Sequence, residues 1–290
     1  MQQLRGTGVA LVTPFNAQYV VDYDALTRLI KHVTDGGVNY LVVMGTTGES
    51  VTLTKDEKKK VLTHVLSVNA GKLPVVLGIG GNNTYEIIET IAQTDFTGIT
   101  AILSVSPYYN KPTQEGIYQH YIKIADICPV PVILYNVPGR TSSNILPETT
   151  LRLAQHKNII AIKEASGSVE QVMKIVNKKP ENFMVISGDD ALTLPFMAVG
   201  AVGVISVVAN SNPKPFTEMV NHCLNADFVS AQKPHYQLLE VIDLLFAEGN
   251  PGGVKAALKA LGIMDDYVRL PLVNVSEATY NKLAALMKKG

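Results

Sequence analysis

"GVALVTPFN", Gly8 to Asn16, decides between two folds. It opens with the unbroken apolarity of a strand covered on both faces. It then turns through "TPFN" rather than the glycine-rich turn that an open, doubly wound sheet normally sets after its first strand. Further runs of strand length lie at 40–45, 74–80, 101–107, 131–138, 159–165, 183–190 and 203–210, so that with 8–14 there are eight. Helical periodicity fills the intervals and brings its own start signals. Asp22 precedes "YDALTRLIKHV", Thr54 and Glu57 have the spacing of a capping box, and Pro147 with Glu148 opens "ETTLRLA". Strand and helix alternating eight times predict an α/β fold, a (β/α)8 TIM barrel over residues 1–226. Beyond it the strands stop. Three helices are expected at about 228–248, 251–262 and 276–288, with "GNPGG" (249–253) between the first two. This 227–290 region is too short for a core of its own and is expected to be a C-terminal helical extension packed on the barrel.

Composition narrows the function. Charged residues are 17% of the chain, against about 25% in an average soluble domain, which calls for a large core, an oligomer interface, or both. Lys+Arg and Asp+Glu stand at 25 each, and the longest like-charge run is "KKK" at 58–60, so nucleic acid and membrane-surface roles lose their electrostatic footprint. No apolar run approaches the roughly 18 residues of a membrane span, and "MQQLRGTGVALVTPF" has no long apolar leader, so the chain reads as cytoplasmic. Cys128 and Cys223, far apart and each in a helical pattern, suit a reducing compartment.

A barrel of this kind builds its site at the carboxyl ends of the strands. There stand Thr46 and Thr47 in "GTTGES", Tyr108 and Tyr109 in "SPYYNKP", Tyr135 and Arg140 in "YNVPGRT", and Lys163 at the end of "NIIAIKEAS". His32, His64, His120, His156, His222 and His235 all fall in helical segments or at their ends, and neither metal-ligand spacing nor a Ser/His/Asp or Cys/His set appears. Acid–base work would fall to tyrosine, threonine and lysine. A lysine in a dry barrel mouth loses hydration of its charged form, and the neutral amine attacks ketones to give a Schiff base; the bland alternative is a lysine that snorkels outward or pairs with Glu164. Tyr135 is a proton carrier or a barrel-wall tyrosine. Thr46 and Thr47 are a carboxylate cradle or a plain turn, and Arg140 is a fork for a second carboxylate or an exposed loop residue. "GIGGNN" (78–83) and "GAVGVIS" (200–206) have no Lys or Arg beside them and read as tight turns and close strand packing, not phosphate cradles.

"GTTGES", "SPYYNKP", "YNVPGRT", "IKEA", "SGDD" and "GVISV" resemble, in order and spacing, the dihydrodipicolinate (4-hydroxy-tetrahydrodipicolinate) synthase family, from the first strand through the C-terminal helices. The resemblance implies condensation of pyruvate with L-aspartate 4-semialdehyde, the first committed step toward diaminopimelate and lysine, with no cofactor and no metal. It implies that Lys163 forms the pyruvate imine, that Tyr135 relays protons with Thr46, and that Tyr109 completes the relay from a neighbouring subunit of a dimer of dimers. Thr47, Ile205 and Gly188 would hold pyruvate, and Arg140 the semialdehyde's carboxylate. The chain departs from the family at Gly253 in "GNPGGVK", where a second proline is commoner, a change expected to touch helical packing. The same resemblance implies an effector cleft for L-lysine at Ser50, Asn82, Glu86 and Tyr108, with Lys55 and Lys58 where strongly inhibited relatives have two histidines; weak or absent feedback is expected. Sugar-acid lyases such as N-acetylneuraminate lyase share the imine lysine and strand-five tyrosine, but resemble this chain less at Tyr109 and Arg140. A silent keto-acid-binding barrel is the remaining alternative, and Lys163, Tyr135 and Thr46 together argue against it.

Overall fold

The computed structural model describes residues 2–288. Eight parallel strands close into a barrel in chain order: β1 (Gly6–Ala10), β2 (Tyr40–Val43), β3 (Val75–Gly78), β4 (Ala101–Val105), β5 (Val132–Asn136), β6 (Ile159–Glu164), β7 (Met184–Ser187) and β8 (Gly203–Ser206). Around it run α1 (Tyr23–Asp35), α2 (Lys55–Asn69), α3 (Thr84–Gln93), α4 (Gln114–Ile127), α5 (Pro138–Thr141), α6 (Pro147–Leu153), α7 (Val169–Lys178), α8 (Thr193–Ala198) and α9 (Pro213–Leu224). The C-terminal helices are α10 (Phe228–Phe246), α11 (Gly252–Ala260) and α12 (Glu277–Met287). No helix is long and apolar enough to cross a membrane among the described residues.

The start signals act as read. The Asp22 side chain accepts from Ala25 N, Thr54 and Glu57 form a reciprocal capping box, and Pro147 occupies the first turn of α6. Strand periodicity then sorts the side chains. Val132 and Leu134 of β5 face the helices, whereas Ile133 and Tyr135 face the barrel interior. In β6 a one-residue irregularity opposite Val132 and Ile133 resets the register, so that Tyr135 pairs with Lys163 and Asn136 with Glu164. Without that extra residue Ile162 would stand opposite Tyr135, and Lys163 would point the other way.

Every strand ends short of its apolar run, β7 at Ser187 and β8 at Ser206 among them, and two of the boundaries have a clear cause. β1 was expected at 8–14 but runs Gly6–Ala10. Gly6 and Gly203 let the first and last strands meet, since a Cβ on Gly203 would overlap the Gly6 backbone. Past Ala10 the Asn210 side chain replaces the sheet partner, donating to Ala10 O and accepting from Val12 N. Strand five was expected to reach residue 138, but Pro138 opens the one-turn helix α5 instead, where its fixed φ and missing N–H do no harm. The glycine-rich stretches are packing features: a Cβ on Gly78 would overlap Met44 O, and one on Gly80 would lie 2.7 Å from Val105 N. The C-terminal helices share the core between barrel and helices through Leu238, Leu245, Val254, Leu258 and Leu283.

Candidate active site

A cavity of about 460 Å³ opens at the carboxyl ends of the strands. Thr46, Thr47, Tyr135, Arg140, Lys163 and Gly188 contribute to its wall, so one site gathers side chains from β2, β5, β6 and β7 or the turns after them. Lys163 is 6% exposed, and its Nζ lies 4.2 Å from the centroid of the Tyr135 ring. The pairing with Glu164 does not occur. Strand alternation turns Glu164 outward, where its carboxylate accepts from Asn136 Nδ2, Gln171 Nε2 and Ser166 N, and burial raises its pKa. Lys163 therefore enters the cavity without a carboxylate on it.

Thr46 and Thr47 begin a 3₁₀ turn, Thr46–Gly48, braced from below by the Thr13 hydroxyl, which donates to Gly48 O at 2.7 Å. Thr46 is exposed at the mouth, and Thr47 is buried. Arg140 sits on α5 at the mouth rather than in a loop. Gly188 makes room: its N–H is spent on Glu164 O, and a Cβ there would lie 3.0 Å from Lys163 Cε. Ile205 is buried in β8 with its side chain in the interior core, and the cavity wall at that strand end is Val207. Tyr109 is not brought in. It is 88% exposed at φ 73°, clear of its own chain's cavity. Met44, Glu49 and Ser142 also hold positive φ in the loops of this rim, the backbone strain expected where loops are shaped for a task.

The chain matches the sequence model of the dihydrodipicolinate synthetase family over residues 3–290. A 4-hydroxy-tetrahydrodipicolinate synthase of Flavobacterium psychrophilum is 54% identical over 290 residues, covering 100% of this chain and 99% of that one. The chain belongs to the dihydrodipicolinate synthetase family. Among solved structures, the Thermotoga maritima dihydrodipicolinate synthase superposes with a TM-score of 0.96 at 40% identity, covering 99% of this chain and 98% of that one. The chloride-inhibited enzyme of Acinetobacter baumannii complexed with pyruvate does so at 0.95 and 38% identity, covering 98% of each.

Three features of this family member's site were not assigned from sequence. Asp190, the second acid of "SGDD", lines the cavity and accepts from Val207 N and Val208 N; burial pushes its carboxyl up to about 6. Asn250 donates from Nδ2 to Thr47 Oγ1 at 2.9 Å, across 203 positions of chain. Lys255 of α11 is wholly buried and pairs with Glu49, two residues past Thr47. The last two lie in the "GNPGGVK" stretch, which in sequence reads only as a break between helices. At the expected effector positions, the Asn82 amide donates to Tyr108 O at 3.3 Å. Lys55 and Lys58 open α2 in exposed positions, Ser50 begins the turn Ser50–Thr52, and Glu86 lies exposed on α3.

Proposed function

We propose that this chain condenses pyruvate with L-aspartate 4-semialdehyde to 4-hydroxy-tetrahydrodipicolinate through a Schiff base on Lys163. The observation that carries the reading is the Lys163–Tyr135 pair, set in register by the β6 irregularity and buried at the cavity floor with Glu164 turned away. The Lys163 amine, on giving up its proton, adds to the pyruvate ketone and water leaves, forming the imine. A proton lost from the methyl carbon gives the enamine, whose carbon attacks the aldehyde. The semialdehyde's own amine then displaces Lys163 at the imine carbon and closes the ring. The sum is one water released, and the protonated imine is the electron sink.

Every step moves a proton, and Tyr135, whose ring lies against the amine, is the proton carrier of this reading, with Thr46 at the mouth as the next link. Thr47 and the backbone of its turn receive the pyruvate carboxylate, with Gly188 leaving room for the Lys163 stem and Ile205 contributing main chain. Arg140, in the cavity wall and in no ion pair among the described residues, receives the semialdehyde's carboxylate. Tyr109 reaches the relay of a second copy in a homo-oligomer, a reading supported by its 88% exposure outside its own cavity. No nucleic acid or membrane partner is proposed.

Borohydride reduction in the presence of pyruvate tests this, followed by digestion and mass analysis. The increment is expected on Lys163 and nowhere else; an increment on another lysine, or none, overturns the imine assignment. Lys163→Arg should lose both trapping and nearly all turnover in a coupled assay, since a guanidinium stays protonated. Arg140→Ala should leave trapping intact while the KM for the semialdehyde rises roughly ten- to a hundredfold, the worth of a charge-assisted bidentate contact.

A further inference from the structure

Two motifs singled out in the sequence, "GTTGES" and "GNPGGVK", touch each other at two points in the fold. Asn250, 8% exposed between α10 and α11, donates to the Thr47 hydroxyl, and Lys255 pairs with Glu49. Neither contact is used by the chemistry above. We propose that Asn250 is a positioning residue of the pyruvate site, fixing the Thr47 hydroxyl as a donor toward the substrate carboxylate. The inference rests on the reading of Thr47 as a pyruvate ligand.

The geometry supplies the reason. A threonine hydroxyl carries one donor hydrogen and accepts through its lone pairs. Asn250 occupies the acceptor side of Thr47 Oγ1, and no acceptor among the described residues takes its hydrogen. Both side chains line the cavity, so the hydrogen is left for a ligand there. The Asn250 Oδ1 has no protein partner among the described residues, so its bond to Thr47 is the one side-chain hydrogen bond the amide makes there.

The loop that carries Asn250 is itself fixed from two sides. A Cβ on Gly253 would overlap Leu245 O, so α11 packs directly on the backbone of α10. Two residues further on, Lys255 donates to Tyr267 O at 2.8 Å and pairs with Glu49, whose other oxygen accepts from Arg269 N at 3.0 Å. The threonine turn is thereby gripped by the C-terminal region at Thr47 and again at Glu49.

The test is pyruvate affinity, read from borohydride trapping against pyruvate concentration, in Thr47→Val, Asn250→Ala, the double variant and the near-isosteric Asn250→Asp. Thr47→Val and Asn250→Ala should each weaken pyruvate binding roughly 3- to 10-fold, the effect of one lost hydrogen bond. The double variant should bind no worse than Thr47→Val alone, because Asn250 acts through Thr47. Asn250→Asp should weaken binding more than Asn250→Ala, since a carboxylate takes the Thr47 proton for itself. Unchanged affinity in Asn250→Ala, or losses that multiply in the double variant, overturns the proposal. Should Asn250→Ala not fold, unchanged affinity in Asn250→Asp does the same. Unchanged affinity in Thr47→Val is a different failure: it removes Thr47 from the carboxylate site, and the role of Asn250 with it.

Discussion

Asp190 carries a charge where its surroundings offer little to hold it. Its Oδ2 accepts from Val207 N and Val208 N, but Oδ1 is buried without a partner, and burial pushes the carboxyl from 3.8 up to about 6. The raised value means that the folded chain keeps a proton the unfolded chain has already lost between 3.8 and about 6. Stability from this group is therefore complete below that window, falls as pH rises through it, and stays diminished above it. Asp190→Asn keeps an acceptor for the two amides and removes the charge. Its Tm should exceed that of the unsubstituted chain near pH ~8, with the gain shrinking toward pH ~4; an equal gain at both ends would show that charge is not the cause. The residue also marks the limit of what the sequence makes legible. Lys163, Tyr135, Thr46 and Arg140 could be read because each follows an apolar run directly or sits in a short motif beside one. Asp190 and Asn250 could not, because what defines them is a partner that only folding supplies, the Val207 and Val208 amides for one and Thr47 for the other.

Elements were legible where local physics decides them and shifted where a distant contact does. Caps and apolar periodicity placed the longer helices, including the three after the barrel, but not the one-turn α5. The end of β1 moved because Asn210 intervenes, and the β6 irregularity has no local signature in a run of isoleucines. Joining of the threonine turn to α11 is the strongest such contact. Lys255 and Glu49 are 0% and 1% exposed, and Lys255 Nζ also lies 4.2 Å from the Phe15 ring centroid. Removing one partner of a buried pair strands the other charge, so Lys255→Met should destabilise by roughly 3 to 5 kcal/mol in denaturant unfolding. Glu49→Gln added to Lys255→Met should recover a large part of that loss, since a buried pair replaced on both sides is close to neutral. A double variant no more stable than Lys255→Met would show that packing of the lysine stem, rather than its charge, binds α11 to the turn. In the recovered double variant the effect on pyruvate affinity can be measured apart from folding.

At the scale of the whole molecule, the chain's low charge content and its exposed Tyr109, Tyr85 and Val51 go together with a proposed assembly in which Tyr109 serves another subunit's cavity. Mixing inactive Tyr109→Phe and Lys163→Ala subunits should restore activity in mixed dimers, because one of the two cavities then has both groups; no complementation would place Tyr109 in its own chain's site. The effector cleft that the family resemblance implies at Ser50, Asn82, Glu86 and Tyr108 carries the remaining prediction. The Asn82 amide donates to the Tyr108 main-chain O at 3.3 Å, which leaves Asn82 Oδ1 and Glu86 to receive an α-ammonium and the Tyr108 hydroxyl to receive an α-carboxylate. The far ammonium of L-lysine would meet Lys55 and Lys58, three apart on the first turns of α2 and therefore on one face. The Lys55 charge already acts on Lys58: partial desolvation of this exposed side chain first, and the neighbouring charge second, lower its pKa. Glu57 between them offers no relief, because Arg269 engages both its oxygens. A third positive charge about 7 Å away is opposed by roughly 2 kcal/mol from each lysine at an effective dielectric near 20, before screening by salt. Even half of that, about 2 kcal/mol from the two together, weakens binding roughly thirtyfold. Initial rates should accordingly show weak or no inhibition by L-lysine, with somewhat more at high salt, and Lys55→His/Lys58→His should gain sensitivity. Strong inhibition of the unsubstituted chain at sub-millimolar L-lysine would sink the prediction, and an insensitive double variant would show that these two charges do not set the response.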